Sequence, residues 1–201
     1  MENNFNLFEN IGLNENQHTG LLKKLLSTTG KHNQQDLFLR TFLESVGITY
    51  CGEKWRIEKE QKSGKKGRID LLLQTDNKTI IIENKINSAK NQNNQLYRYW
   101  KNHIFNKKIA EFKIIYLVKS KVNYDSKMLN DSIIKPDCPT YQKQLTLPKT
   151  LPIDIEVMGY KEDIVPWLIK CQKQLPNSDD IQRLSVTLEQ YIEFLQKDLR
   201  K

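Results

Sequence analysis

Gly67-Arg68-Ile69-Asp70-Leu71-Leu72-Leu73-Gln74, then Thr75-Asp76-Asn77-Lys78, then Thr79-Ile80-Ile81-Ile82-Glu83-Asn84-Lys85-Ile86 is the stretch on which the fold turns. Two runs rich in Leu and β-branched residues flank a polar tetrad, the pattern of a strand, a tight turn and a second strand. Asp and Asn tolerate the positive φ angles that such turns demand. A two-residue turn at Asp76-Asn77 sets Thr75 opposite Lys78. Counting outward, Asp70 comes to face Glu83, and Arg68 to face Lys85; an odd-length loop would shift Glu83 off that pairing.

This register has a chemical consequence. Opposed residues on antiparallel strands have Cβ atoms roughly 4.5–5.5 Å apart on one face. Glu83 and Lys85 are two apart on one strand and share that face, about 6.6 Å apart at ~3.3 Å per residue. Asp70, Glu83 and Lys85 therefore converge within otherwise apolar strands. Two carboxylates so close repel, and inside a protein they require a shared proton or a bound cation. Hard divalent ions such as Mg²⁺ take oxygen ligands and leave positions for water and phosphate oxygens. A lysine alongside can orient water and offset charge growing on a phosphate. The plainer reading is a buried carboxylate–lysine ion pair with a solvated aspartate beside it.

The rest of the chain frames that hairpin. Asn14 can cap a helix from Glu15 to about Ser27, with Leu22, Leu25 and Leu26 on its apolar face. Glu15 and His18 lie on the same stripe. Glu15 reads either as a third carboxylate aimed at the metal site or as a first-turn acid facing the helix dipole. His18 reads as a contact for substrate phosphate, as a partner of Glu15, or as a structural histidine. A second helix, about Gln34 to Val46, turns Leu39, Phe42, Leu43 and Val46 inward and leaves Glu44 as the reserve helix-borne acid. Trp55 to Lys59 reads as a strand. Lys65 and Lys66, in a glycine-bounded loop just before Arg68 and Asp70, are placed to contact phosphate. A polar helix is expected over about Ser88 to Asn106, with Gln95 and Tyr99 stacked four apart. Phe112 to Val118 reads as a buried strand, Ile153 to Gly159 as another, and Lys161 to about Gln174 as a helix. The last helix, Asp179 to about Leu199, carries a stripe of Ile181, Leu184, Leu188, Ile192, Leu195 and Leu199. That stripe suits the chain's own core, with a homodimer seam as the alternative. The segment from Lys119 to Pro152 is irregular, and a loop so long reads as a substrate-facing flap.

At the hairpin the sequence resembles the PD-(D/E)XK nuclease superfamily, in which an Asp opening one strand and a Glu-x-Lys in the next form the metal site. Asp70, Glu83 and Lys85 stand at those positions with Asn84 as x, and Ile69 replaces the leading proline. Glu15-x-x-His18, Gly30-Lys31-His32 and Phe38-Leu39-Arg40-x-Phe42-Leu43 are similar to the opening helices of a bacterial subfamily. Gln95-x-x-x-Tyr99 resembles the helix motif of exonuclease-type members, and Tyr160-Lys161-Glu162-Asp163-Ile164-x-x-Trp167 extends the likeness toward the C-terminus. The resemblance implies a restriction-endonuclease-like three-layer α/β sandwich, a mixed central sheet flanked by helices with extra C-terminal helices. It implies a Mg²⁺-dependent phosphodiesterase acting on nucleic acid, most simply DNA, with Mn²⁺ as substitute. Asp70, Glu83, the Asn84 backbone carbonyl and Glu15 would hold the metal, and Lys85 would serve catalysis. Gln95, Tyr99, His18, Lys65, Lys66 and Arg68 would meet the substrate.

Bulk properties agree. The chain has 201 residues and a formal net charge of +8, which favours an anionic partner such as nucleic acid. One domain is expected: a helical N-terminus over 14–46, a catalytic core over about 53–119, an irregular loop over 120–152, and a strand with C-terminal helices over 153–201. Cys51, Cys138 and Cys171 lack metal-ligand or paired spacing, which points to a reducing cytoplasm. No apolar run reaches the ~18 residues of a membrane span, and the N-terminus carries no signal-peptide pattern. P-loop, zinc-cluster and repeat signatures are absent from the sequence. A catalytically silent nucleic-acid-binding module with the same fold is the alternative, although the complete Asp/Glu/Lys set argues against it. A protein-interaction or structural domain, its positive charge incidental, is a second alternative.

Overall fold

The computed structural model of the chain describes residues 5–62, 67–87, 92–122, 124 and 147–198. Lys65, Lys66, Leu199 and most of the segment read as a flap lie outside the described residues. The strands are β1 (Arg56–Lys62), β2 (Arg68–Gln74), β3 (Lys78–Lys85), β4 (Glu111–Val118) and β5 (Glu156–Gly159). They form one sheet in the order β1-β2-β3-β4-β5. The β1–β2 and β2–β3 pairs are antiparallel, whereas β3–β4 and β4–β5 are parallel. The described α-helices are α1 (Leu7–Ile11), α2 (Glu15–Leu26), α3 (Leu37–Ser45), α4 (Gln95–Trp100), α5 (Val165–Gln172) and α6 (Asp179–Asp198).

Every residue of β3 is buried, because helices cover both faces of the sheet at its centre; a strand covered on both sides reads as an unbroken apolar run rather than an alternating one. On one face Leu71, Leu73, Ile80, Ile82, Ile115 and Leu117 pack with apolar residues of α1, α2, α3, α5 and α6. On the other, Leu72, Ile81, Ile114, Tyr116 and Val118 pack with Leu96, Tyr97, Tyr99 and Trp100 of α4. The result is the expected three-layer α/β sandwich. Among the described residues, no helix is long and apolar enough to cross a membrane.

The hairpin folds in the register counted from its turn. Leu71 pairs Ile82, Leu72 pairs Ile81, Leu73 pairs Ile80 and Gln74 pairs Thr79. The Thr75 amide donates to the Lys78 carbonyl at 2.9 Å, and Thr75 Oγ1 accepts from the Lys78 amide at 2.9 Å. The ladder then breaks at Asp70. Pairing with β3 ends at Leu71↔Ile82, and pairing with β1 passes from Lys59↔Leu71 to Gln61↔Ile69, skipping Glu60 and Asp70. Glu60 has φ +55°, a left-handed conformation that costs a non-glycine residue about 1–3 kcal/mol. Ile69 accordingly packs with Leu72 instead of with Leu71 and Leu73. The sheet is dislocated where the sequence places its first acid.

Some elements are shorter than the sequence pattern predicts. Asn33 and Gln35 adopt positive φ, which delays α3 to Leu37. Asn94 at φ +49° precedes α4, and after Trp100 the helix widens into a π turn over Lys101–Phe105. The short helix α1 was not apparent from periodicity; Asn6 caps it by accepting from the Phe8 and Glu9 amides. In α6, Leu188, Ile192 and Leu195 are buried together with Tyr191 and Phe194. Of the stripe offered as a dimer seam, Leu188, Ile192 and Leu195 thus pack in the chain's own core, while Ile181 and Leu184 are half-buried.

Candidate active site

Alternation along β3 sends Glu83 and Lys85 to the α4 face and Asn84 to the α2 face. Glu83 and Lys85 meet there, Lys85 Nζ lying 2.8 Å from Glu83 Oε1, with the two side chains only 2% and 8% exposed. Asp70 joins them from the dislocated end of β2. Its Oδ2 accepts the Asn84 amide at 2.8 Å, so a carboxylate stands where a strand carbonyl would continue the ladder. Of the residues expected at the centre, Asp70, Glu83 and Lys85 are brought together.

The electrostatics follow from burial and proximity. Burial, then the neighbouring Asp70 charge, pushes the Glu83 carboxyl up to about 7 against the pull of Lys85. Burial also raises Asp70, although the Asn84 amide and Lys85 favour its charged form. Burial works against the Lys85 ammonium, but Glu83, with help from Asp70, more than offsets it and the pKa rises. Lys85 therefore remains a cation at neutral pH, suited to donating hydrogen bonds and not to removing a proton.

From α4, Gln95 Nε2 donates to Glu83 Oε1 at 2.8 Å and lies 2.9 Å from the Tyr99 hydroxyl. The Tyr99 hydroxyl in turn donates to the Arg68 backbone carbonyl. Gln95 and Tyr99 are buried, so they brace the carboxylate from behind. Gln95 thus reaches the centre and Tyr99 flanks it. The exposed Arg68 side chain sits 3.4 Å from Glu60 on the edge strand.

From the opposite face, α2 reaches the centre through its first turn, fixed by a capping box between Asn14 and Gln17. Asn84 Nδ2 donates to the Glu15 carbonyl at 3.1 Å and to Thr19 Oγ1 at 3.0 Å. Glu15 Oε1 accepts the Asn87 amide at 3.1 Å, and its charge is near enough to raise Asp70. Among the described residues no three of His, Cys, Asp and Glu gather as a metal cluster; Glu15 stands beside the Asp70–Glu83 pair. Glu44, the reserve candidate, is bound instead by Lys170 and Arg40 on the surface. His18 is corrected by the structure: it is 1% exposed, its Nδ1 lies 2.7 Å from the Tyr191 hydroxyl, and its ring lies against Tyr160 and Phe194. Such a side chain serves the core and cannot touch a phosphate.

The Asn84 side chain is the residue that sequence reasoning missed. A buried amide must find partners, and its place in a fully buried strand was the available signal. Replacing Asn84 by alanine strands the groups it ties together. The variant is expected to lose about 1–3 kcal/mol of stability, read as a lower urea midpoint at unchanged slope.

The donor set fits a hard divalent cation. Glu83 Oε1 is engaged by Lys85 and Gln95, whereas Glu83 Oε2 is buried without a hydrogen-bond partner among the described residues. An orphaned carboxylate oxygen beside a second carboxylate is costly unless a proton or a cation completes it.

No curated protein and no solved structure matches the chain significantly. A family model described as the PD-(D/E)XK nuclease superfamily matches residues 5–196, a span running from α1 into α6 and including the whole site. The chain belongs to the PD-(D/E)XK nuclease superfamily.

Proposed function

We propose that this chain is a divalent-metal-dependent nuclease that hydrolyses phosphodiester bonds of DNA, with Mg²⁺ as the working ion and Mn²⁺ as a substitute. The observation that carries this reading is the buried Glu83–Lys85 pair with Asp70 beside it and Glu83 Oε2 left without a partner. Asp70, Glu83 and the Asn84 carbonyl would hold the ion, with Glu15 close by in reserve. When bound, the ion supplies Lewis acidity toward the scissile phosphate. Lys85 holds and orients the attacking water through its ammonium hydrogens and offsets charge that grows on the phosphate. Gln95 and Tyr99 keep Glu83 in the rotamer that faces the centre. Arg68, together with Lys65 and Lys66 that precede it in the sequence, would supply phosphate contacts. A cytoplasmic setting belongs to the same reading, since Cys51 and Cys171 are free thiols of a kind that reducing compartments maintain.

Incubation of plasmid and linear DNA with Mg²⁺, Mn²⁺ or EDTA tests the proposal. Cutting is expected with either metal and none with EDTA. Cutting that persists in EDTA, or binding without any turnover, sinks it; the second outcome assigns the chain to the silent binding modules.

A further inference from the structure

A groove of about 1370 Å³ lies between α2, the connection from α2 to α3, and the first turns of α6. Its floor is apolar, with the half-buried Leu21, Leu25 and Leu184. Its lining carries five cations, Lys23, Lys24, Lys31, Lys59 and Arg183, against one acid, Asp180. Lys59, on β1, lines the groove beside Gly20. It precedes Glu60, the residue skipped opposite Asp70, and its Nζ donates to the carbonyl of Asn16 at 3.1 Å. Asn16 follows Glu15, the acid beside the carboxylate pair. The groove follows α2 from Gly20 to Ser27, about 10 Å at ~1.5 Å per residue, which spans neighbouring phosphates of a nucleic-acid strand.

We propose that this groove is a strand-holding track for the single-stranded part of a nucleic-acid substrate as it runs on from the metal site. The inference rests on the nuclease reading for the identity of its occupant. Lysines on flexible stems are point charges that engage phosphates without reading bases. A leucine floor suits the apolar faces of unstacked bases, which a duplex keeps inside its stack. The track therefore binds without base preference and with a steep dependence on salt.

Anisotropy of a labelled oligothymidylate of about 20 nucleotides, titrated in EDTA across salt concentrations, tests it. The triple variant Lys23→Gln/Lys24→Gln/Lys31→Gln is expected to bind at least about tenfold more weakly near 50 mM salt. Its slope of log K against log salt is expected to fall by about 2, at ~0.7 per phosphate contact in a single strand. Arg183→Glu, on the opposite wall, is expected to weaken binding several-fold on its own. Hydrolysis of a thymidine dinucleotide, too short to reach the groove, stays at the wild-type rate in both variants. Unchanged affinity and slope in both variants overturn the proposal. So does loss of polyglutamate binding with oligothymidylate binding intact, which assigns the groove to an acidic protein. Lysine-dependent binding in a wild type that hydrolyses neither DNA nor the dinucleotide leaves the track standing and removes the nuclease reading.

Discussion

The Lys85→Met protein is expected to cut linear and plasmid DNA in Mg²⁺ about 10²–10³-fold more slowly than wild type. Lys85 is 8% exposed and 2.8 Å from Glu83, so its charge acts where little water screens it. Glu83 keeps that charge in place, and methionine retains the stem while removing the donor. The substitution leaves Glu83 without its cation. Burial already pushes that carboxyl up to about 7, so it can take up a proton and the fold survives. Rates from gel-resolved time courses, set beside melting curves of both proteins, separate lost chemistry from lost structure. Wild-type rates in a folded Lys85→Met protein remove the lysine from the reaction.

The second large effect is thermodynamic and needs no turnover. Mn²⁺ at about 100 times its dissociation constant stabilises a folded state that alone binds it by ~2.7 kcal/mol. For a chain of this size that is a rise of roughly 5–10 °C in Tm. Asp70→Asn is expected to abolish most of the rise. The amide oxygen of asparagine can still accept the Asn84 amide that Asp70 Oδ2 now accepts at 2.8 Å, so the strand end keeps its shape. Removing one of two repelling charges relieves Glu83, whose carboxyl Asp70 pushes up, and the metal-free variant is expected to melt no lower than wild type. An equal Mn²⁺ response in Asp70→Asn places the ion elsewhere.

Much of this arrangement was legible in residues 67–86, since a two-residue turn and a period of two leave only one register that buries both runs. The count that set Asp70 opposite Glu83 was right in direction but not in detail. The ladder closes one pair earlier because the Asp70 carboxylate itself binds the Asn84 amide. Other features were written in partners distant along the chain. His18 shares a helix face with Glu15, and nothing local reveals that Tyr191, far along in α6, claims its ring nitrogen. The pattern of α4 predicts a longer helix, yet Asn94 takes a left-handed backbone that no periodicity encodes. Asn84 looked like a spacer between two functional residues, although its amide ties α2 to β3.

The outer strand β1 has a consequence for how copies of the molecule meet. It lies at one margin of the sheet, reads Arg56-Ile57-Glu58-Lys59-Glu60-Gln61-Lys62, and is bent by the positive φ of Glu60. An unpaired margin ordinarily invites a foreign strand to dock and seed aggregates. Here the approaching backbone would face crowded ionic groups and a row of donors and acceptors that falls out of step halfway. Crowded solutions of the molecule thus have a built-in guard against sheet-to-sheet polymerisation, supplied by the same bend that makes room for Asp70.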